Sequence, residues 1–178
     1  LANLYLHHVL DLWVQHWRKR QAHGEVIVVR YCDDFVLGFQ YREDAERLLT
    51  DLRERFAKFG LQLNPDKTRL IEFGRFAARD RTARGEGKPQ TFNFLGFTHL
   101  CAKTRNAKFC VLRQTMRKRM TAKLHEVKTE VHRRRHDSIP EQGAWLGSVV
   151  RGYFAYHAVP SNQPALQTFR YQVGRHWW

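Results

Sequence analysis

Residues 30–37, Arg30-Tyr31-Cys32-Asp33-Asp34-Phe35-Val36-Leu37, set two adjacent carboxylates between two runs of strand-forming residues. Val26 to Tyr31 is apolar, β-branched and aromatic, and Phe35 to Phe39 is much the same. Such runs read as strands buried on at least one face. Neighbouring side chains of a strand point to opposite faces, so two adjacent aspartates serve one site only where the chain turns. Asp33 and Asp34 are therefore expected at a hairpin tip, both carboxylates thrust outward at the end of a sheet. Hard oxygen ligands there suit Mg²⁺, which takes one or two carboxylates and completes its shell with substrate phosphates. Pairs of such ions support in-line phosphoryl transfer.

Working outward, Tyr31-Cys32-Asp33-Asp34 resembles the tyrosine–any–Asp–Asp box of reverse transcriptases. Arg30 before it and Phe35 after it resemble the group II intron branch, whose proteins combine reverse transcriptase and maturase. Cys32 takes the variable position of the box, where Ala is common, and either small residue fits a tight hairpin.

The rest of the composition agrees with a polyanionic partner. Among 178 residues, 31 Lys+Arg stand against 17 Asp+Glu, a formal charge of +14. Such a balance points to nucleic acid first and an acidic membrane second. Hydrophobic residues make up 43% of the chain, enough to build a core in one ordinary domain or two small ones. Three cysteines, at 32, 101 and 110, lack CxxC spacing and fit reduced thiols in a cytosolic protein rather than a disulfide or zinc framework. No apolar run approaches a membrane span, and no secretory signal is visible. The chain opens on helix-like sequence without Met, as a fragment or cropped piece would.

At the start, Leu1, Leu4, Tyr5, His8, Val9, Leu12, Trp13 and His16 recur at helical spacing, and Arg18-Lys19-Arg20 closes the helix. His7, His8 and His16 read as surface or core-edge residues rather than ligands. Arg42 to Phe59 carries a stripe of Ala45, Leu48, Leu49, Leu52, Phe56 and Phe59, with its charged residues on a solvated face, and Gly60 sits where a helix stops. Leu61–Leu63 and Thr68–Phe73 read as two strands around the turn Asn64-Pro65-Asp66. Gly74 to Gln90, with Arg75, Arg79, Arg81, Arg84 and Lys88, reads as a mobile basic loop. Thr91 to Phe97 returns to strand character, Gly96 supplies a turn, and residues 99–103 and 108–112 pair as a hairpin.

From Gln114 the period becomes helical. Leu112, Met116, Met120, Leu124, Val127 and Val131 form a stripe, and Arg117, Lys118, Arg119, Lys123, Lys128, Arg133, Arg134 and Arg135 surround it. A narrow stripe without Trp or Phe favours packing on protein, with the basic face toward phosphate, over a membrane surface. Residues 136–143 read as a linker or helix–helix turn, Ala144 to Tyr156 as a second helix and Pro164 to Trp178 as a third.

Several of these segments extend the resemblance in order. Leu1-Ala2-Asn3-Leu4-Tyr5-Leu6 is similar to the segment after the family's template-binding motif. Asn64-Pro65-Asp66-Lys67-Thr68 is similar to the palm segment whose lysine lies near the incoming triphosphate. Phe94-Leu95-Gly96-Phe97 is similar to the primer grip. Arg151-Gly152-Tyr153-Phe154-Ala155-Tyr156 is similar to the start of the maturase-specific region. The resemblance implies an α+β fold. Residues 1–112 would be the C-terminal part of a polymerase palm, an antiparallel sheet with packed helices, and 113–178 a helical thumb. It implies an RNA-directed DNA polymerase of bacterial, ribonucleoprotein-associated kind, using an RNA template, a DNA primer, dNTP and two Mg²⁺ ions, and binding intron RNA. Asp33 would be a direct metal ligand, Asp34 a ligand or support, and Lys67 the triphosphate lysine and possible proton donor. The family's first catalytic Asp and its fingers precede the opening helix, so this stretch alone is expected to be inactive. Two alternatives remain open: a non-catalytic RNA-binding maturase module, and a retron or defence-type reverse transcriptase.

Overall fold

The computed structural model describes residues 1–178. The chain forms two compact units, Leu1–Ile71 and Glu72–Trp178. No helix is long and apolar enough to cross a membrane.

The first unit begins with one helical rod in three parts: α1 (Ala2–Leu6), a π-helical turn (His7–Asp11) and α2 (Leu12–Arg20). Its buried residues are Val9, Leu10, Val14 and Trp17, whereas Leu1, Leu4, Tyr5 and Leu12 are exposed. Val9 and Trp13 of the expected stripe do pack on the core, but the buried face is centred one position further along, on Leu6, Leu10, Val14 and Trp17. The spacing is helical as expected; its phase is set by which face the β1–β2 pair and α3 cover, and spacing alone does not record that.

Two strands follow, β1 (Val26–Tyr31) and β2 (Asp34–Phe39), antiparallel with Tyr31 opposite Asp34 and Val26 opposite Phe39. Helix α3 (Arg42–Lys58) covers one face of this pair with Leu48, Leu52 and Phe56, joining Val9, Leu10, Val14 and Trp17 in one core. Gly60, at φ +67°, turns the chain after α3 as expected. The two strands expected at 61–63 and 68–73 are absent. Leu61 and Leu63 do pack on the core, but the sheet contains only β1 and β2, and a lone segment without a ladder partner is not a strand.

Asp44 also departs from expectation. It lies on α3 among residues read as a solvated face, yet it is 1% exposed. It accepts hydrogen bonds from the His23 and Gly24 amides (2.9 and 3.1 Å) and sits 2.7 Å from Arg47 Nη2 and 3.0 Å from His23 Nδ1. The carboxylate pins the loop that feeds β1. Burial alone would push its carboxyl up, but the Gly24 and His23 donors outweigh burial and hold it below its ordinary 3.8. A depressed carboxyl stabilises the fold above its unfolded value, and that contribution disappears as pH falls through the native value. Acid unfolding of the Asp44→Asn chain, followed by circular dichroism from roughly pH 5 to pH 2, should show a shallower loss of stability below 3.8 than the parent. Equal slopes would contradict this role.

The second unit holds α4 (Ala77–Ala83), the sheet β3 (Phe92–Phe94), β4 (Phe97–Lys103) and β5 (Phe109–Thr115), and helices α5 (Arg117–Arg133), α6 (Ile139–His157) and α7 (Gln163–Trp177). The basic loop at 74–90 contains the short helix α4, seated by buried Ala77. Its arginines are largely engaged: Arg79 with Asp80, Arg81 with Glu86, and Arg84 with Glu72 and Glu86. Helix α5 begins at Arg117 rather than Gln114, because Gln114 and Thr115 complete the β4–β5 ladder. The expected helix–helix turn is present but short, ending at Ser138, and the rest of 136–143 is helix: Ser138 and Glu141 form a capping box that starts α6, with Pro140 in its first turn. The core of the unit is Val127, Leu146, Tyr153, Leu166, Phe169 and Val173. Fully burying a side chain such as Phe169 contributes about 1.5–3 kcal/mol. Buried Asn162 ties the sheet to the helices, accepting from the Thr115 amide at 2.9 Å and donating to Thr115 Oγ1 and the His157 carbonyl, both at 2.8 Å.

Candidate active site

The β1–β2 hairpin has a two-residue turn, Cys32-Asp33. Cys32 has φ +55° and Asp33 does not share a positive φ, the sign pattern of a type II′ turn. Such turns match the twist of a hairpin and favour Gly at the first position. A non-glycine residue there costs roughly 1–2 kcal/mol, so the surroundings must hold it. Asp33 projects from the turn and Asp34 opens β2, and both are exposed. Neither carboxylate is ion-paired, so their oxygens are open to an added cation. Asp34 shares the outer face of the hairpin with Ile27, Val29 and Tyr31, all exposed, while Phe35, Leu37 and Phe39 face the core. No set of three or more His, Cys, Asp or Glu side chains converges anywhere on the chain. A divalent ion on Asp33 and Asp34 therefore needs further ligands, as Mg²⁺ accepts from water and phosphate.

Lys67 lies in the same unit, on a separate turn built by Asn64. The Asn64 side chain accepts from the Asp66 and Lys67 amides at 3.0 and 3.2 Å. This is an Asx-type turn of the sort Asn-Pro-Asp predicts, and it leaves Lys67 exposed.

The Phe-Leu-Gly-Phe segment is a second hairpin turn, in the second unit. Phe94 ends β3, Phe97 starts β4, and Leu95 and Gly96 both have positive φ, +48° and +79°. Helix α6 holds this turn. The Tyr156 hydroxyl donates to the Leu95 carbonyl at 2.9 Å, and its ring stacks on Phe97. A Cβ at Gly96 would stand 3.1 Å from Arg119 Nη1, so glycine there serves both the turn and the close approach of α5.

Of the basic residues on α5 and just after it, Arg117, Lys118 and Arg119 are exposed and unpaired. Lys123 pairs with Glu126 at 2.7 Å. Arg133 and Arg134 both hold Glu130, at 2.7 and 2.6 Å, and their hydrogen bonds keep its carboxyl down at about 2. Arg135 contacts His136. The structure thus separates a free cationic cluster at the start of α5 from a partly neutralised one at its end. Arg119 and Lys123 also line an open groove of about 640 Å³ with Ser148, Gly152 and Tyr156 of α6.

Two residues were missed by the sequence reading. In the sequence Arg30 stands only as a flank of the box, and Tyr156 only as the end of a segment. For Arg30 the signal was present. Alternation places it on the face of Val26 and Val28, where a charge needs an acidic partner. No local signal identified that partner, Asp11.

The model of the family described as reverse transcriptase (RNA-dependent DNA polymerase) matches residues 1–99. The chain belongs to the reverse transcriptase family. The match runs from α1 through the carboxylate hairpin, α3, the Lys67 turn and the Phe-Leu-Gly-Phe turn. Membership brings RNA-directed DNA polymerase activity at the level of the family, and with it binding of a nucleic-acid template and primer. No curated protein and no solved structure matches the chain.

Proposed function

We propose that this reverse transcriptase segment belongs to a group II intron protein that extends a primer on an RNA template and also binds intron RNA. The observation carrying this reading is the exposed, unpaired Asp33-Asp34 pair on a tight hairpin, within the segment that matches the family. Residues 1–112 serve as the later part of the palm and 113–178 as the thumb. Asp33 and Asp34 hold Mg²⁺, joined by a carboxylate from sequence preceding α1. When bound, a pair of such ions neutralises charge on the phosphoryl group during nucleotidyl transfer. Lys67 offers a point charge to the triphosphate and a proton to the leaving pyrophosphate. Phe94 to Phe97 orient the primer end, and the start of α5 grips the phosphate backbone.

A primer-extension assay tests this reading, using RNA template, DNA primer and the chain joined to its upstream half. DNA synthesis should appear with Mg²⁺ and stop on chelation. RNA binding without any extension would instead favour a maturase module that does no chemistry, a reading supported by the free basic cluster at Arg117, Lys118 and Arg119.

A further inference from the structure

Arg30 bridges the opening helix and the carboxylate turn. Its Nε and Nη2 donate to the two oxygens of Asp11 at 2.8 and 2.6 Å. Its Nη1 donates to the Cys32 carbonyl at 2.7 Å and to Asn3 Oδ1 at 3.3 Å. The side chain is only 16% exposed. Asp11 is the last residue of the π-helical turn, and His7 Nδ1 lies 3.2 Å from it. Asn3 closes the arrangement from the other side, with Nδ2 3.9 Å from Cys32 Sγ.

Fork geometry separates this from an ordinary ion pair. A guanidinium bound through Nε and one terminal nitrogen still has a donor to spend elsewhere, and here it is spent on the carbonyl of the residue at φ +55°. An ammonium could neutralise Asp11 but lacks the rigid fork that serves both partners. The same device recurs at the other turn, where Tyr156 holds the carbonyl of left-handed Leu95.

We propose that Arg30 is a positioning residue. Anchored by Asp11, it grips the Cys32 carbonyl, fixes the left-handed turn and keeps Asp33 and Asp34 aimed together at a divalent cation. The proposal rests on the reading of those two aspartates as metal ligands. Arg30 itself touches neither metal nor substrate. The π-turn belongs to the device, because Asp11, which anchors the guanidinium, is its last residue.

The test uses the chain joined to its upstream half, with Mn²⁺ as a paramagnetic probe, read by NMR. The parent should show Mn²⁺ broadening centred on residues 33 and 34. Arg30→Lys, which keeps the charge opposite Asp11, should leave the melting temperature nearly unchanged. It should still weaken Mn²⁺ binding about tenfold, the usual effect of losing a residue that orients metal ligands. It should also speed amide exchange at residues 32–34 but not at 26–29. The exchanged pair Asp11→Arg with Arg30→Asp should recover the ion pair and the melting temperature without recovering Mn²⁺ affinity. Unchanged Mn²⁺ binding and tip exchange in Arg30→Lys would overturn the proposal, as would full rescue by the exchanged pair, which would make Arg30 a simple structural ion pair. Absence of Mn²⁺ broadening in the parent itself would instead sink the metal reading of Asp33 and Asp34, and the proposal with it.

Discussion

Alanine at Asp33 is expected to abolish primer extension while leaving RNA binding nearly intact. Loss of one preorganised electrostatic group in an active site costs on the order of 10²–10³ in rate, and a metal ligand belongs at the upper end of that scale. The fold should not suffer. Asp33 is exposed on the turn, has no ion-pair partner and covers none of the core. Surface substitutions of that kind usually change stability by about 0.5 kcal/mol or less. Asp34→Ala should behave similarly, with a smaller loss if Asp34 supports the site rather than ligating directly. Nucleic-acid affinity should hold or rise slightly, because removing an exposed carboxylate reduces repulsion of phosphate. The measurements are extension rate, RNA affinity and melting temperature on the same preparations. Binding that collapses together with extension would make the two acids structural and would remove the basis of the proposed chemistry.

Reversing Arg117, Lys118 and Arg119 to Glu together is expected to weaken RNA binding strongly and flatten its salt dependence. If all three meet phosphate, the slope of log affinity against log salt should fall by roughly 2–3. An unchanged slope would mean that this face does not meet the backbone. The location makes the experiment unusually clean. The three cations occupy the first turn of α5, which has no acidic residue. Positive charge at a helix N-terminus opposes the macrodipole, at a cost of about 0.3–1 kcal/mol per residue. Nothing in the fold of α5 therefore calls for them, and Glu at these positions should stabilise the helix. A variant that binds RNA poorly yet melts no lower cannot have lost affinity by unfolding. Arg133 and Arg134 are poorer targets, because removing them strips Glu130 of both its partners.

Much of this was legible along the chain. The hairpin around Asp33-Asp34 followed from two apolar runs and the period of a strand. The turn at Gly96, the helix at 42–58 and the three C-terminal helices followed from patterning of the same kind. The failures share a cause. The buried face of the opening helix lies one position from the expected stripe, because what packs on it, the β1–β2 pair and α3, is not recorded in residue spacing. The runs at 61–63 and 68–73 have strand composition, but composition does not supply a ladder partner. Asp44 looked like a surface acid because its ligands, the His23 and Gly24 amides, lie about twenty residues away and are backbone groups. The capping box at Ser138 and Glu141 is a local signal that marks the start of α6 in the sequence itself.

Residue order alone gives the local choices: a hairpin carrying the Asp33-Asp34 pair (the structure sets its turn one residue earlier, at Cys32-Asp33, with Asp34 opening β2), the cationic start of α5 and the ties to the reverse transcriptase family. These depend on residue type and on neighbours within a few positions, which one-dimensional spacing records. The tertiary structure decided which side chains hold those features in place. Arg30 meets Asp11 across nineteen positions and Tyr156 meets Leu95 across sixty-one. Contacts over such separations arise only when packed elements bring distant positions together, and no local pattern encodes them.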